Sequence, residues 1–187
     1  RPRILTVEGN IGAGTSTFLG ELQKRYADRD DIMFLLEPVG IWESVVDEEG
    51  KNMLEKFYDN PKKYSFAFQV LAFSTRLKLI REAVEDAMKP DSPVTTIIME
   101  RSLDADRAIF AQMLRDDGLL ETCEFDIYKR IAQDAMDMFS ADGILWLTVS
   151  PELCFERVGV RGREGENKIT LDYLVKCDSY HKQWLGA

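Results

Sequence analysis

A short apolar run, Ile4-Leu5-Thr6-Val7, breaks into the glycine-rich stretch Gly9 to Gly14, and a helical pattern follows with Phe18, Leu19, Leu22 and Tyr26 on one face. Strand, glycine loop and helix in that order open a βαβ unit, which commits the chain to a parallel sheet. Three further runs fit the same sheet: Ile32 to Leu36, Thr95 to Met99 and Ile144 to Val149. All are apolar almost throughout instead of alternating, the pattern of strands covered on both faces. Helices are predicted over Lys62–Met88, Asp104–Arg115, Glu121–Phe139, Pro151–Val158 and Thr170–Leu185, with Pro90 to Pro93 and Asp117-Gly118 as breaks. There is no internal repeat, low-complexity tract or linker, so the expectation is one α/β domain over residues 1–187, a parallel sheet flanked by helices.

Charge narrows the partners. The net charge of −9, from 24 basic and 33 acidic residues, leaves no basic face for a nucleic acid, whereas a nucleoside or mononucleotide needs only a few local cations. Cys123, Cys154 and Cys177 lack any metal or CxxC spacing and read as free thiols used in packing, in a reducing intracellular compartment such as cytosol or mitochondrion. No run reaches the ~18 apolar residues of a membrane span. The chain begins at Arg1 without a methionine, which leaves room for a targeting segment ahead of it.

In an open parallel sheet, ligands sit beyond the carboxyl ends of the strands. Those ends carry Glu8-Gly9, Glu37-Pro38, Glu100-Arg101-Ser102 and Ser150-Pro151, so three carboxylates and an arginine are expected along one edge. The loop beside them, Gly9-Asn10-Ile11-Gly12-Ala13-Gly14-Thr15-Ser16, fits the phosphate-binding pattern G-x-x-x-x-G-K-[ST] except that Thr15 stands at the lysine. Glycines let backbone N–H groups wrap a phosphate, and the helix that follows presents its positive end. Ser16 can offer a hydroxyl to Mg²⁺, but Thr15 brings no charge to the β- and γ-phosphates, so a leading electrostatic contribution to transfer is lost. The sheet is therefore expected to be of the P-loop NTPase type.

The ordered series EGNIGAGTST (8–17), EPVGIW (37–42), YSFAFQ (64–69), ERSLDADRAIF (100–110) and RGREGE (161–166) resembles the deoxyribonucleoside kinase family, the relatives of deoxycytidine and deoxyguanosine kinase, from Ile4 to about Leu185. The resemblance implies transfer of the γ-phosphate of ATP, or another NTP, to the 5′-hydroxyl of a deoxyribonucleoside. Glu37 would be the general base and Arg101 would sit beside the 5′-oxygen. Gly9 to Gly14 with Thr15, Ser16 and Thr17 would hold the donor phosphates, and Glu100 would join Ser16 on Mg²⁺. Arg157, Arg161 and Arg163 would form a lid, about residues 157–167, over those phosphates, and they are the visible candidates to compensate for the missing lysine. On the acceptor side, Tyr58 and Glu166 match the pair on the sugar 3′-hydroxyl, and Gln69 the amide on the base edge. Phe68 and Phe110 match the rings around the base, with Trp42 lining the site. Arg76 and Asp106 match a pair found in members that take deoxycytidine and deoxypurines. A homodimer through Lys62–Met88 and Glu121–Phe139 is implied as well.

Both departures from the family fall on the donor side: Thr15, and an end at Ala187 where the resemblance leads one to expect a fifth strand. They leave two readings, a kinase or a nucleoside- or nucleotide-binding subunit of a larger assembly. His181, the single histidine, lies in the last helix among polar residues and is expected at the surface.

Overall fold

A computed structural model describes residues 1–163 and 165–186. In chain order the elements are β1 (Arg3–Gly9), α1 (Thr15–Arg25), β2 (Ile32–Leu35), α2 (Val39–Ser44), α3 (Met53–Asp59), α4 (Pro61–Ala87), β3 (Thr96–Glu100), α5 (Leu103–Ala105), a π-helical turn (Asp106–Ala111), α6 (Gln112–Asp116), α7 (Thr122–Met138), β4 (Gly143–Leu147), α8 (Pro151–Arg161), a 3₁₀ turn (Glu166–Lys168) and α9 (Leu171–Leu185). The strands form one parallel sheet in the order β2-β3-β1-β4.

The sheet is covered on both faces as expected of a doubly wound α/β domain. Val7 and Ile98 face Leu19 of α1 on one side. Ile4, Ile97 and Met99 face the other, against α4 and α7 residues such as Phe73, Ile80 and Tyr128. Central strands β1 and β3 are the apolar, closed ones, whereas Ile144 and Leu145 of the outer strand β4 are 41 and 43 % exposed. Burying a side chain such as Leu19, wholly inaccessible here, contributes about 1.5–3 kcal/mol.

Several local features differ from the expectation. Helix α1 ends at Arg25, so Tyr26 is outside it and exposed. Helices α2 and α3 occupy a stretch that the hydrophobic pattern left without structure. A capping box starts α3, in which the Asn52 side chain accepts from Glu55 N–H and Glu55 reaches back to Asn52 N–H. The helix expected over Asp104–Arg115 is interrupted by the π turn, and α8 continues past Val158 to Arg161, placing Arg161 on the same helix as Arg157.

Candidate active site

The carboxyl ends of β2 and β3 and the loop that follows β1 border one cavity of about 610 Å³. The glycine loop, Gly9–Gly14, runs along one side of it. Gly12 and Gly14 have φ of 85° and 97°, the left-handed region that side chains avoid. Asn10 is buried and pins the loop: its Nδ2 donates to Leu174 O at 2.8 Å, and its Oδ1 accepts from Ile11 N–H at 2.8 Å. Helix α1 begins at Thr15 without a side-chain cap, so its first N–H groups are directed at the cavity, where an anion can take them. Ile11, Gly12, Gly14, Thr15, Ser16 and Thr17 line the cavity, while Gly9, Asn10 and Ala13 lie behind it.

Glu100, at the end of β3, joins this loop to the acceptor side. Its Oε1 accepts from Thr15 Oγ1 and from Ser16 Oγ, both at 2.6 Å, and its Oε2 accepts from Glu37 N–H at 3.1 Å. The Ser16 hydroxyl and the Glu100 carboxylate thus already meet, an oxygen pair of the kind that holds Mg²⁺ together with phosphate oxygens and water. Among the described residues no cluster of three His, Cys, Asp or Glu could hold a metal ion without such help.

Glu37 stands at the end of β2 between two guanidinium groups. Arg76 Nη2 donates to Glu37 Oε1 at 2.9 Å, and Arg101 Nε lies 3.3 Å from the same oxygen. Burial raises the carboxyl pKa, but the opposing charges of Arg101 and then Arg76 outweigh it and hold Glu37 below its ordinary value. Arg101 adopts φ of 61°, rare for a residue with a side chain, and from there donates Nη1 to Gly9 O at 2.8 Å while its guanidinium covers the Phe110 ring at 5.1 Å. Arg76, 1 % exposed, also forks onto Asp106 at 2.9 and 3.3 Å and donates to Glu100 O at 2.9 Å.

The remaining predicted acceptor residues all border the cavity. Gln69 is buried on α4, next to Phe68, which stacks on Phe57 at 4.7 Å and meets Trp42 edge-on at 5.5 Å. Tyr58 faces Tyr173 edge-on, and its phenol is pushed up by burial and by the nearby Glu166 carboxylate. Glu166 is not open to the cavity alone: Arg161 donates Nε and Nη2 to its Oε2 at 3.0 and 2.6 Å, and Arg163 Nη1 donates to Oε1 at 3.1 Å. Arg157 instead donates Nη1 to Ala13 O at 3.1 Å. Glu164, within the RGREGE segment, lies outside the described residues.

Two expectations are corrected. Glu8 does not join the other carboxylates at the ligand edge; it is wholly buried in β1 and its Oε1 accepts from Ser102 N–H at 2.8 Å, with burial raising its pKa. His181 is not at the surface. It continues the buried stripe of Leu174 and Cys177 on α9, its Nδ1 lies 2.7 Å from Cys177 O, and burial pushes its pKa down to about 4, so it packs as a neutral ring. Of the cysteines, Cys154 and Cys177 are buried as expected and Cys123 is exposed. Phe57 and Tyr173 border the cavity without having been singled out from the sequence; each is the aromatic neighbour of Tyr58, one by chain position and one across the cavity.

Comparison with known proteins agrees with this geometry. The family described as Deoxynucleoside kinase matches residues 5–187. The chain is 33 % identical to a probable deoxycytidine kinase of Fowlpox virus, covering 97 % of this chain and 71 % of that protein. It is 33 % identical to the mitochondrial deoxyguanosine kinase of Xenopus laevis, covering 97 and 72 % of the two chains. With the deoxycytidine kinase of Homo sapiens the identity is 32 %, over 99 and 76 %. A phosphate loop, a carboxylate flanked by guanidinium groups and an aromatic pocket in one cavity, carried by a sequence matched along nearly its whole length, lead to one conclusion: the chain belongs to the deoxynucleoside kinase family.

Proposed function

We propose that the chain transfers the γ-phosphate of a nucleoside triphosphate to the 5′-hydroxyl of a deoxyribonucleoside. The observation that carries this reading is Glu37, a carboxylate kept ionised by two arginines in the same cavity as a phosphate loop. In this reading Glu37 takes the proton of the attacking hydroxyl and Arg101 balances the charge that develops there. Ser16 and Glu100 hold Mg²⁺, whose charge offsets that of the donor phosphates when it is bound. Tyr58 and Glu166 receive the sugar 3′-hydroxyl. Gln69 meets the base edge, and Phe68, Phe110 and Trp42 line the base pocket. Arg76 and Asp106, locked together, crowd the place where a thymine methyl group would lie and favour deoxycytidine and deoxypurines.

The whole of residues 1–187 acts as a single domain in this reading, with Arg157, Arg161 and Arg163 on the donor side. A homodimer through α4 and α7 belongs to it, and Ile127 and Ile131, each 48 % exposed on α7, suit such a contact. No helix among the described residues is long and apolar enough to cross a membrane, and free thiols fit a reducing compartment. The relatives named above are kinases, which favours transfer over a binding subunit.

Incubating the chain with Mg²⁺-ATP and each of four deoxyribonucleosides tests the reading. The 5′-monophosphate is expected, with thymidine the poorest acceptor; no product from either this chain or its Thr15→Lys variant overturns it. The pH profile adds a second check. Because Glu37 has a depressed pKa, its basic form persists through neutral pH and is lost only as pH falls. The acid limb of kcat is therefore expected below the ordinary glutamate value of about 4.3, and a limb near pH 6 assigns the base elsewhere.

A further inference from the structure

We propose that Arg157 takes the place of the lysine that this phosphate loop lacks, bringing the cation to the β- and γ-phosphates from α8 instead of from the loop. The inference rests on the kinase reading above and assigns one residue a task that the lid arginines were expected to share.

Thr15 is 6 % exposed and its hydroxyl is turned onto Glu100, so the lysine position brings no charge to the cavity it borders. Five arginines line the cavity, and no lysine does so among the described residues. Arg76 and Arg101 are bound to Glu37, and Arg76 also to Asp106. Arg161 and Arg163 converge on Glu166. Arg101 also reaches the loop, at Gly9 O, but Arg157 alone of the five has no carboxylate partner among the described residues, and its guanidinium rests on the loop: Nη1 bonds Ala13 O at 3.1 Å and lies 3.8 Å from where a Cβ on Gly14 would be. One N–H of a five-donor fork is engaged there, which leaves the rest for phosphate oxygens.

The position is also rigid. A Cβ on Gly12 would come within 2.5 Å of Cys154 O and 3.0 Å of Val158 Cγ2, so the loop and α8 touch backbone to backbone. Cys154 and Val158 are buried with Ala13 in one apolar cluster, and Arg157 lies between them on the helix. The cation is therefore seated by packing against the loop it serves.

The test compares the chain, Arg157→Met, Thr15→Lys and the double variant, using kcat/KM for ATP at saturating deoxyribonucleoside. Met keeps the aliphatic stem and removes the charge. In the native background Arg157→Met is expected to lower kcat/KM on the order of 10²–10³-fold, and Arg157→Lys to lose much less. With Lys at position 15 the same Arg157→Met change is expected to cost less than about tenfold, because the loop then carries its own cation. ATP binding by calorimetry should weaken in Arg157→Met while AMP binding holds. An equal loss in both backgrounds overturns the proposal and leaves the kinase reading standing, as does a native chain that is inactive until Thr15→Lys is introduced. Absence of product from all four proteins removes the kinase reading and this proposal together.

Discussion

Glu37→Gln lowers kcat about 10²–10⁴-fold at neutral pH, with a far smaller change in KM for the nucleoside. The amide has the size of the carboxylate but cannot accept a proton from the 5′-hydroxyl. Both guanidinium groups on Glu37 Oε1 can still donate to the amide oxygen, so the cavity keeps its shape: Arg76 retains Asp106, and Arg101 retains Gly9 O. The loss is therefore one of proton transfer, about 3–5 kcal/mol in the barrier. Steady-state rates at saturating donor and acceptor read it directly. A variant within tenfold of the parent would show that another group takes the proton.

Asp106→Ala is the largest expected stability effect, about 3 kcal/mol. Removing one partner of a buried ion pair costs about 3–5 kcal/mol, because the remaining charge cannot regain water. Here the lower end applies, since Arg76 keeps the Glu37 carboxylate and Glu100 O after Asp106 is gone. For a domain of this length that is a fall in Tm of about 6–12 °C. A thermal melt of the variant against the parent measures it, and a drop under about 2 °C means that Arg76 needs no second carboxylate.

The central strands, the phosphate loop and the residues at the ends of β2 and β3 were legible because their signals are short and local. An apolar run that ends in Glu-Gly, Glu-Pro or Glu-Arg marks both the strand and the edge at which ligands bind. The side a buried residue takes was less legible. Glu8 and Glu37 both follow apolar runs, yet β1 is central and continues through Gly9, so Glu8 is enclosed, while β2 stops at Leu35 and releases Glu37 into the cavity. His181 reads as polar by composition, although its spacing from Leu174 and Cys177, three then four residues, is that of one helix face and would have revealed its burial. Helices α2 and α3 escaped a reading based on long apolar periods because they have only 6 and 7 residues. The Asn52…Glu55 capping pair was the signal present for α3. Partnerships such as Arg161 and Arg163 with Glu166 come from the packing of α8 against the 3₁₀ turn, which no local pattern encodes.

The π turn at Asp106–Ala111 lets one stretch of backbone hold Asp106 against Arg76 and still lay Phe110 beneath Arg101. Such a turn contains one residue more than the α-helical turn it replaces. Deleting a single residue from Arg107 to Ile109 would let the helix run on regularly, at little cost in helical hydrogen bonds. The deleted residue is the one the turn already absorbs, so Phe110 would keep nearly its present direction relative to Asp106. The π turn is thus a point where the chain can shorten by one residue while Asp106 keeps its contact with Arg76 and Phe110 its place beneath Arg101.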